Sequence, residues 1–135
     1  MGLRTVRDGL KTRVEMVSGL RGYDTWPDTF SPPGAVIQPM RGDPHTTFSG
    51  RGSLWFEVVL AVQQSRLRTA QDQLDDLLDL SGAGSVLAAI EGDVTLAGAA
   101  EGLILGGWRD YGDIEIGGIR YLGAVIDVEV WVVFS

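Results

Sequence analysis

Apolar residues along this chain follow two periods. Leu3, Val6, Leu10, Val14 and Val17 recur at steps of three and four, the spacing of one helical face, with Arg4, Arg7, Lys11 and Arg13 off the stripe. Gly9 weakens that helix slightly, and Ser18-Gly19 supplies its stop. The same period returns in Leu67, Ala70, Leu74, Leu77 and Leu78, and Gly82-Ala83-Gly84 breaks it. Ser85 then caps a short helix from Val86 to Glu91, which Gly92 ends.

The other period is two, that of a strand. From Leu54 to Gln63 the chain sets Leu54, Phe56, Val58, Leu60 and Val62 against Trp55, Glu57, Val59, Ala61 and Gln63. From Ile119 to Phe134, Leu122, Ala124, Ile126, Val128, Val130, Val132 and Phe134 share one side, the longest such run in the chain. That length predicts a central place in the sheet. Shorter strands are predicted at Tyr23–Trp26 and Ala35–Gln38, ended by Pro27 and Pro39, because proline lacks the ladder N–H. Leu103–Leu105 and Ile114–Ile116 complete the set, and Gly117-Gly118 signals a hairpin into the last strand. The stretch GGWRDYGD, 106–113, receives no element.

Helix, three strands, two helices and strands to the end is a segregated order. It predicts an α+β domain with a mainly antiparallel, mixed sheet and the N-terminal and two central helices packed on one face. The other face carries Trp55, Glu57, Asp127, Glu129 and Trp131. That mixture is too polar for a core and too aromatic for plain solvent, and it suits burial against another subunit.

Composition narrows the classes. At 135 residues with 44% hydrophobic and 21% charged, the expectation is a single domain over residues 1–135 with its own core. The absence of cysteine removes disulfides, thiolate metal sites and a cysteine nucleophile. A net charge of −7 works against sequence-independent binding of nucleic acid, which needs Lys and Arg for the phosphates. The N-terminus lacks the uninterrupted apolar run of a secretory leader, and Asp127 and Glu129 interrupt the apolar C-terminus. The expectation is a protein made in the cytoplasm with no membrane span.

Candidate chemistry concentrates in RGDPHTTFSGRGSLWFEVVLAV, residues 41–62. His45 is the single histidine, and Asp43 is the carboxylate nearest to it in sequence, so an oriented general base is thinly supplied. Arg41-Gly42-Asp43 is a triplet that chance produces often. Gly50-Arg51-Gly52 and Gly106-Gly107 lack the Lys-Ser or Lys-Thr of a phosphate loop, and no Gly-x-Ser-x-Gly elbow exists. Asp72, Asp75, Asp76 and Asp79 share helical spacings that could hold a cation, but a solvated face opposite the leucines explains them as well. No catalytic, cofactor or metal residues are assigned, and the chain reads as no enzyme.

The order of landmarks carries more. An amphipathic N-terminal helix leads to GYDTWPDTFSPPGAVI, an aromatic-Pro-Asp turn followed by Pro-Pro-Gly-Ala. A Gly-Arg-Gly loop before a strand, a helix with AQDQLDDLL, a short GSVLAAIEGD helix and a closing YLGAVIDVEV strand come next. This series, covering nearly the whole chain, resembles the tail terminator (tail completion) proteins of long-tailed phages. It is similar to the lambda-like group, and more closely to members from phages of actinobacterial hosts.

The resemblance implies a virion protein, assembled in the host cytoplasm, whose subunits form a ring, a homo-hexamer in that family. The ring docks on the last ring of the tail-tube protein, stops its polymerisation and faces the head-side connector. DNA then threads the channel without tight binding, which predicts that some of Asp72, Asp75, Asp76 and Asp79 face the channel or its rims. The segment Arg41–Ser53 becomes a contact loop, with Arg41, Asp43, His45, Phe48 and Arg51 joining Trp55, Glu57, Asp127, Glu129 and Trp131 at a subunit or tube contact. Arg51 is expected to reach Glu57, Asp127 or Glu129 of a neighbour. Two alternatives remain: another neck component (a head–tail joining or head-completion protein), or a small enzyme with a pocket around His45, Asp43 and Arg51.

Overall fold

The computed structural model describes residues 3–43, 51–64 and 67–133, with the backbone alone for Asp43, Arg51 and Val133. Helix α1 (Leu3–Val14) opens the chain, followed by strands β1 (Arg21–Tyr23), β2 (Gly34–Asp43) and β3 (Arg51–Val62). Helices α2 (Leu67–Leu78) and α3 (Val86–Glu91) lead to β4 (Gly102–Ile116) and β5 (Ile119–Val133). The five strands form one sheet in the order β1-β2-β3-β5-β4. Only β1 and β2 pair in parallel; every other neighbour is antiparallel. The fold is α+β with a mixed sheet, as the segregated pattern predicts.

The three helices bury their apolar stripes in one layer against one sheet face. Val6, Leu10 and Val14 of α1, Ala70, Leu74, Leu77 and Leu78 of α2, and Val86, Leu87 and Ile90 of α3 join Phe56, Val58, Leu60, Ile126, Val128 and Val130 in one core. The best-patterned strand, β5, is interior, paired with β3 on one side and β4 on the other. Ser85 caps α3 by accepting the Ala88 N–H at 3.1 Å, and Gly92 ends that helix. Gly9 has a packing reason: a Cβ there would lie 2.8 Å from the Cβ of Leu96, so the glycine lets the turn after α3 seat a buried leucine on α1.

Five expectations need correction. The Leu67 end of the α2 stripe is 57% exposed, because the first turn of α2 lies beyond the core. The strand expected at Tyr23–Trp26 lies instead at Arg21–Tyr23, and Trp26 leaves the sheet to donate to Gln38 Oε1 at 3.2 Å. Strand β2 does not stop at Pro39 but bulges there and continues to Asp43. Beyond Val36, β1 has ended and β2 is itself an edge, where a missing N–H costs little. Arg41–Asp43 and Arg51–Ser53, expected as loop, belong to strands: Arg41–Asp43 of β2 pair with Ser53–Trp55 of β3, and Arg51–Ser53 of β3 pair with Trp131–Val133 of β5; residues 44–50 between them, with His45 and Phe48, lie outside the described residues.

The last correction matters most for function. Leu103–Leu105 and Ile114–Ile116 are two ends of one strand, β4, which runs through the unassigned GGWRDYGD stretch with two bulges. The extra residues fall between Leu105 and Trp108 and between Arg109 and Gly112. Gly107 at φ 88° and Asp110 at φ 57° take the left-handed backbone these bulges use. Each bulge shifts the alternation by one residue, so no single period-two pattern spans the strand.

Leu74 is fully buried, so Leu74→Ala should lower stability by about 2–5 kcal/mol. Leu67→Ala, at an exposed site of the same helix, should change it by less than about 0.5 kcal/mol. Chemical denaturation of the two variants checks the pair; equal midpoints would mean that α2 presents another face to the sheet.

Candidate interaction face

The sheet face away from the helices is divided in two. At one end Val36, Val59, Ala61, Ile116 and Tyr121 form a second apolar cluster, with Tyr23, Ile114 and Val125 packed against it. The loop between β1 and β2 covers this half. Phe30 folds back with its ring centroid 5.1 Å from that of Tyr121 and 5.4 Å from that of Tyr23, and the Tyr23 hydroxyl accepts the Ser31 N–H at 3.0 Å. Nothing in the described chain covers the other half.

That open half is built by register. Trp55 on β3 stands opposite Arg41 on β2 and Glu129 on β5, and Glu57 stands opposite Gln38 and Asp127. Two carboxylates directly across an antiparallel pair repel each other. Arg109 on β4 resolves the conflict. Its guanidinium donates to Glu57 Oε2, and its Nε and Nη2 donate to the two oxygens of Asp127 at 2.9 and 3.1 Å. A further donor goes to Asp110. These partners hold the Arg109 pKa above the ordinary guanidinium value, Asp127 contributing most and Glu57 next. Beside this fork, the Arg41 guanidinium lies 3.9 Å from the Trp55 ring centroid, a contact worth roughly 0.5–1 kcal/mol at an exposed site.

The first β4 bulge puts Arg109 there. Leu103 and Leu105 pair with Val130 and Val128 on the helix side, and an unbroken alternation would carry Arg109 to that same side. With the extra residue at Gly106-Gly107, Trp108 takes the helix side opposite Ile126, and Arg109 takes the outer side opposite Val125. Sequence reasoning missed Arg109 for this reason; the adjacent glycines were the available signal of a bulge.

Of the residues expected at a contact, Arg41, Trp55, Glu57, Asp127, Glu129 and Trp131 therefore share this outer half. Glu57 and Asp127 are engaged by Arg109 of their own chain, which leaves Glu129 as the one of the three candidate carboxylates without an ion pair among the described residues. The backbones of Asp43 and Arg51, at the end of β2 and the start of β3, lie beside it. Two shallow depressions open on the face, one between Trp55, Ile104, Asp127 and Glu129, the other between Met40, Arg41, Glu57 and Arg109. Exposed Met40 and Ile104 add apolar area to the charge. Among the described residues no three His, Asp or Glu side chains gather as metal ligands, and no helix is long and apolar enough to cross a membrane.

No protein-family model matches the chain, and no curated protein matches it.

On the other side of β4, the Tyr111 hydroxyl donates to Asp75 Oδ1 of α2 at 2.8 Å. Partial burial, with the Asp75 bond second, pushes the Tyr111 pKa up to about 12. Because the folded value is raised, this contribution to stability is complete below the ordinary tyrosine pKa of about 10 and is lost as pH rises toward 12. Ultraviolet titration should show a late tyrosine transition that is absent in Tyr111→Phe and shifted down in Asp75→Asn. A midpoint for Tyr111 at the ordinary value would remove the bond.

Arg109→Met leaves Glu57 and Asp127 facing each other without a counter-charge. The variant should be less stable than its parent at low salt, and the gap should narrow in about 1 M salt, where the Debye length falls to roughly 3 Å. Arg109→Met combined with Glu57→Gln should recover part of the loss. A loss indifferent to salt would mean that Arg109 acts through packing alone.

Proposed function

We propose that the protein is a structural subunit of a long-tailed phage, a tail terminator that assembles into a ring on the end of the tail tube, stops its growth and joins the tail to the head connector. The support is the ordered run of landmarks from the N-terminal helix to the YLGAVIDVEV strand, together with the open half of the outer sheet face. That half is shallow, and it carries half-buried Trp55 and Trp131 and exposed Ile104 and Met40 around a preorganised arginine–carboxylate fork. Aromatic, Met and Arg side chains are the types enriched at protein contacts. The Arg109 fork holds its charges in place before any partner arrives, so docking loses less side-chain entropy.

In this reading the open half and the β2–β3 hairpin make a subunit or tube contact. Its partners are further copies of the chain in a hexamer, the tube protein and the connector. DNA passes through the ring without tight binding, in keeping with a subunit charge of −7.

Light scattering and negative-stain microscopy, on the protein alone and on purified tail tubes, test the reading. The expected result is a ring of six at tube ends and no retention of duplex DNA at physiological salt. Glu129→Arg, on the open face and outside the Arg109 fork, should keep the parent's denaturation midpoint and weaken ring or tube assembly. His45→Ala should build rings and support infection normally; normal rings with complete loss of infectivity would favour the enzymatic reading.

A further inference from the structure

Besides the outer face, the described residues carry unmatched charge on two helix flanks. In α1, Arg4, Arg7 and Lys11 fall within roughly 60° of one another at about 3.6 residues per turn. They lie on the flank away from Arg13, whose Nε donates to Ala89 of α3 at 2.8 Å. Lys11 lies against Gly22 of β1, so this basic flank borders the β1 edge of the sheet. None of the three makes an ion pair among the described residues, and the Arg7 Nε is buried without a hydrogen-bond partner.

The opposite edge carries the opposite sign. Asp72, Asp75, Asp76 and Asp79 are all exposed, and the Tyr111–Asp75 bond holds α2 beside the β4 edge. Trp108, 48% exposed, stands on the same border with its ring centroid 5.9 Å from that of Tyr111. Part of each set works against its own helix, although Lys11, in the last turn of α1, favours the dipole there. Arg4 sits in the first turn of α1, which has no acidic residue, and Asp75 and Asp76 sit in the last turn of α2, which has no basic one. Both placements oppose the helix dipole, and Asp72 and Asp76 repel each other at i, i+4.

We propose that the two flanks meet between copies of this chain: Arg4, Arg7 and Lys11 of one subunit dock on Asp72, Asp76 and Trp108 of the next. The inference rests on the ring reading and adds which surfaces join. Both halves of a complementary pair lie on one chain, on opposite edges, so a second copy satisfies both at once. A contact between two different surfaces is head-to-tail, the kind that closes into rings. The Asp72–Asp79 face then meets a neighbour's cations, a use that differs from lining the channel.

Lys11 is the chain's single lysine, which makes a zero-length carbodiimide cross-link diagnostic. On rings built from mixed light and heavy isotope-labelled subunits, mass spectrometry should find Lys11 joined to Asp72 or Asp76 of another copy. Arg4→Glu with Lys11→Glu, and separately Asp72→Lys with Asp76→Lys, should each raise the half-assembly concentration about ten- to hundredfold, since like charges then face each other. A chain carrying both reversals should recover. Circular dichroism confirms folding, and Asp72→Asn with Asp76→Asn, a milder loss in the same direction, serves if a reversal unfolds. Rings whose Lys11 never links to α2, or folded reversals that assemble like the parent, overturn this contact and leave the ring reading standing. A parent that stays monomeric alone and on tube ends overturns both.

Discussion

The bulge at Gly106-Gly107 decides what the outer face of this molecule is. Without the extra residue Arg109 would project toward the helices, and Glu57 and Asp127 would face each other across β3 and β5 with no cation between them. With it, one guanidinium spans three neighbouring strands and turns a repulsive pair into a charge-assisted fork. The same shift places Trp108 on the helix side, next to Tyr111 and α2. The open outer face, and the place of Trp108 beside the acidic flank, thus depend on one local break in alternation.

The division of the outer face has a plain cause. Where it is apolar, around Val36, Val59 and Tyr121, the β1–β2 loop supplies Phe30 and closes it. Gly34 permits the approach, since a Cβ there would lie 2.7 Å from the Phe30 ring. Where the face is charged, burial under a loop would strip water from Glu57, Asp127, Glu129 and Arg109 with few new partners in return. That half stays open and firm, fit for a partner that brings matching groups. The resulting molecule has a helix layer, a half-covered sheet, and edges of opposite charge.

Much of this was legible along the chain. The helical stripes of α1 and α2, the Ser85 cap, the Gly117-Gly118 hairpin and the long alternation of β5 are local signals, set by the neighbours of each residue and the period of its element. So was the unusual outer face, because Trp55, Glu57, Asp127, Glu129 and Trp131 stand at alternate positions of well-patterned strands.

What only the tertiary structure decided is how those elements meet. Proline 39 predicts a stop when read alone, yet it is tolerated because β1 is too short to pair beyond Val36. Strand β4 is invisible as a unit because two bulges reset its period, and a bulge is stabilised by the partner strand rather than by its own residues. Arg109 joins Glu57 and Asp127 across 52 and 18 positions of sequence, a distance at which no periodicity carries information. Local pattern determines which residues turn inward. Register between distant strands determines which charges find each other.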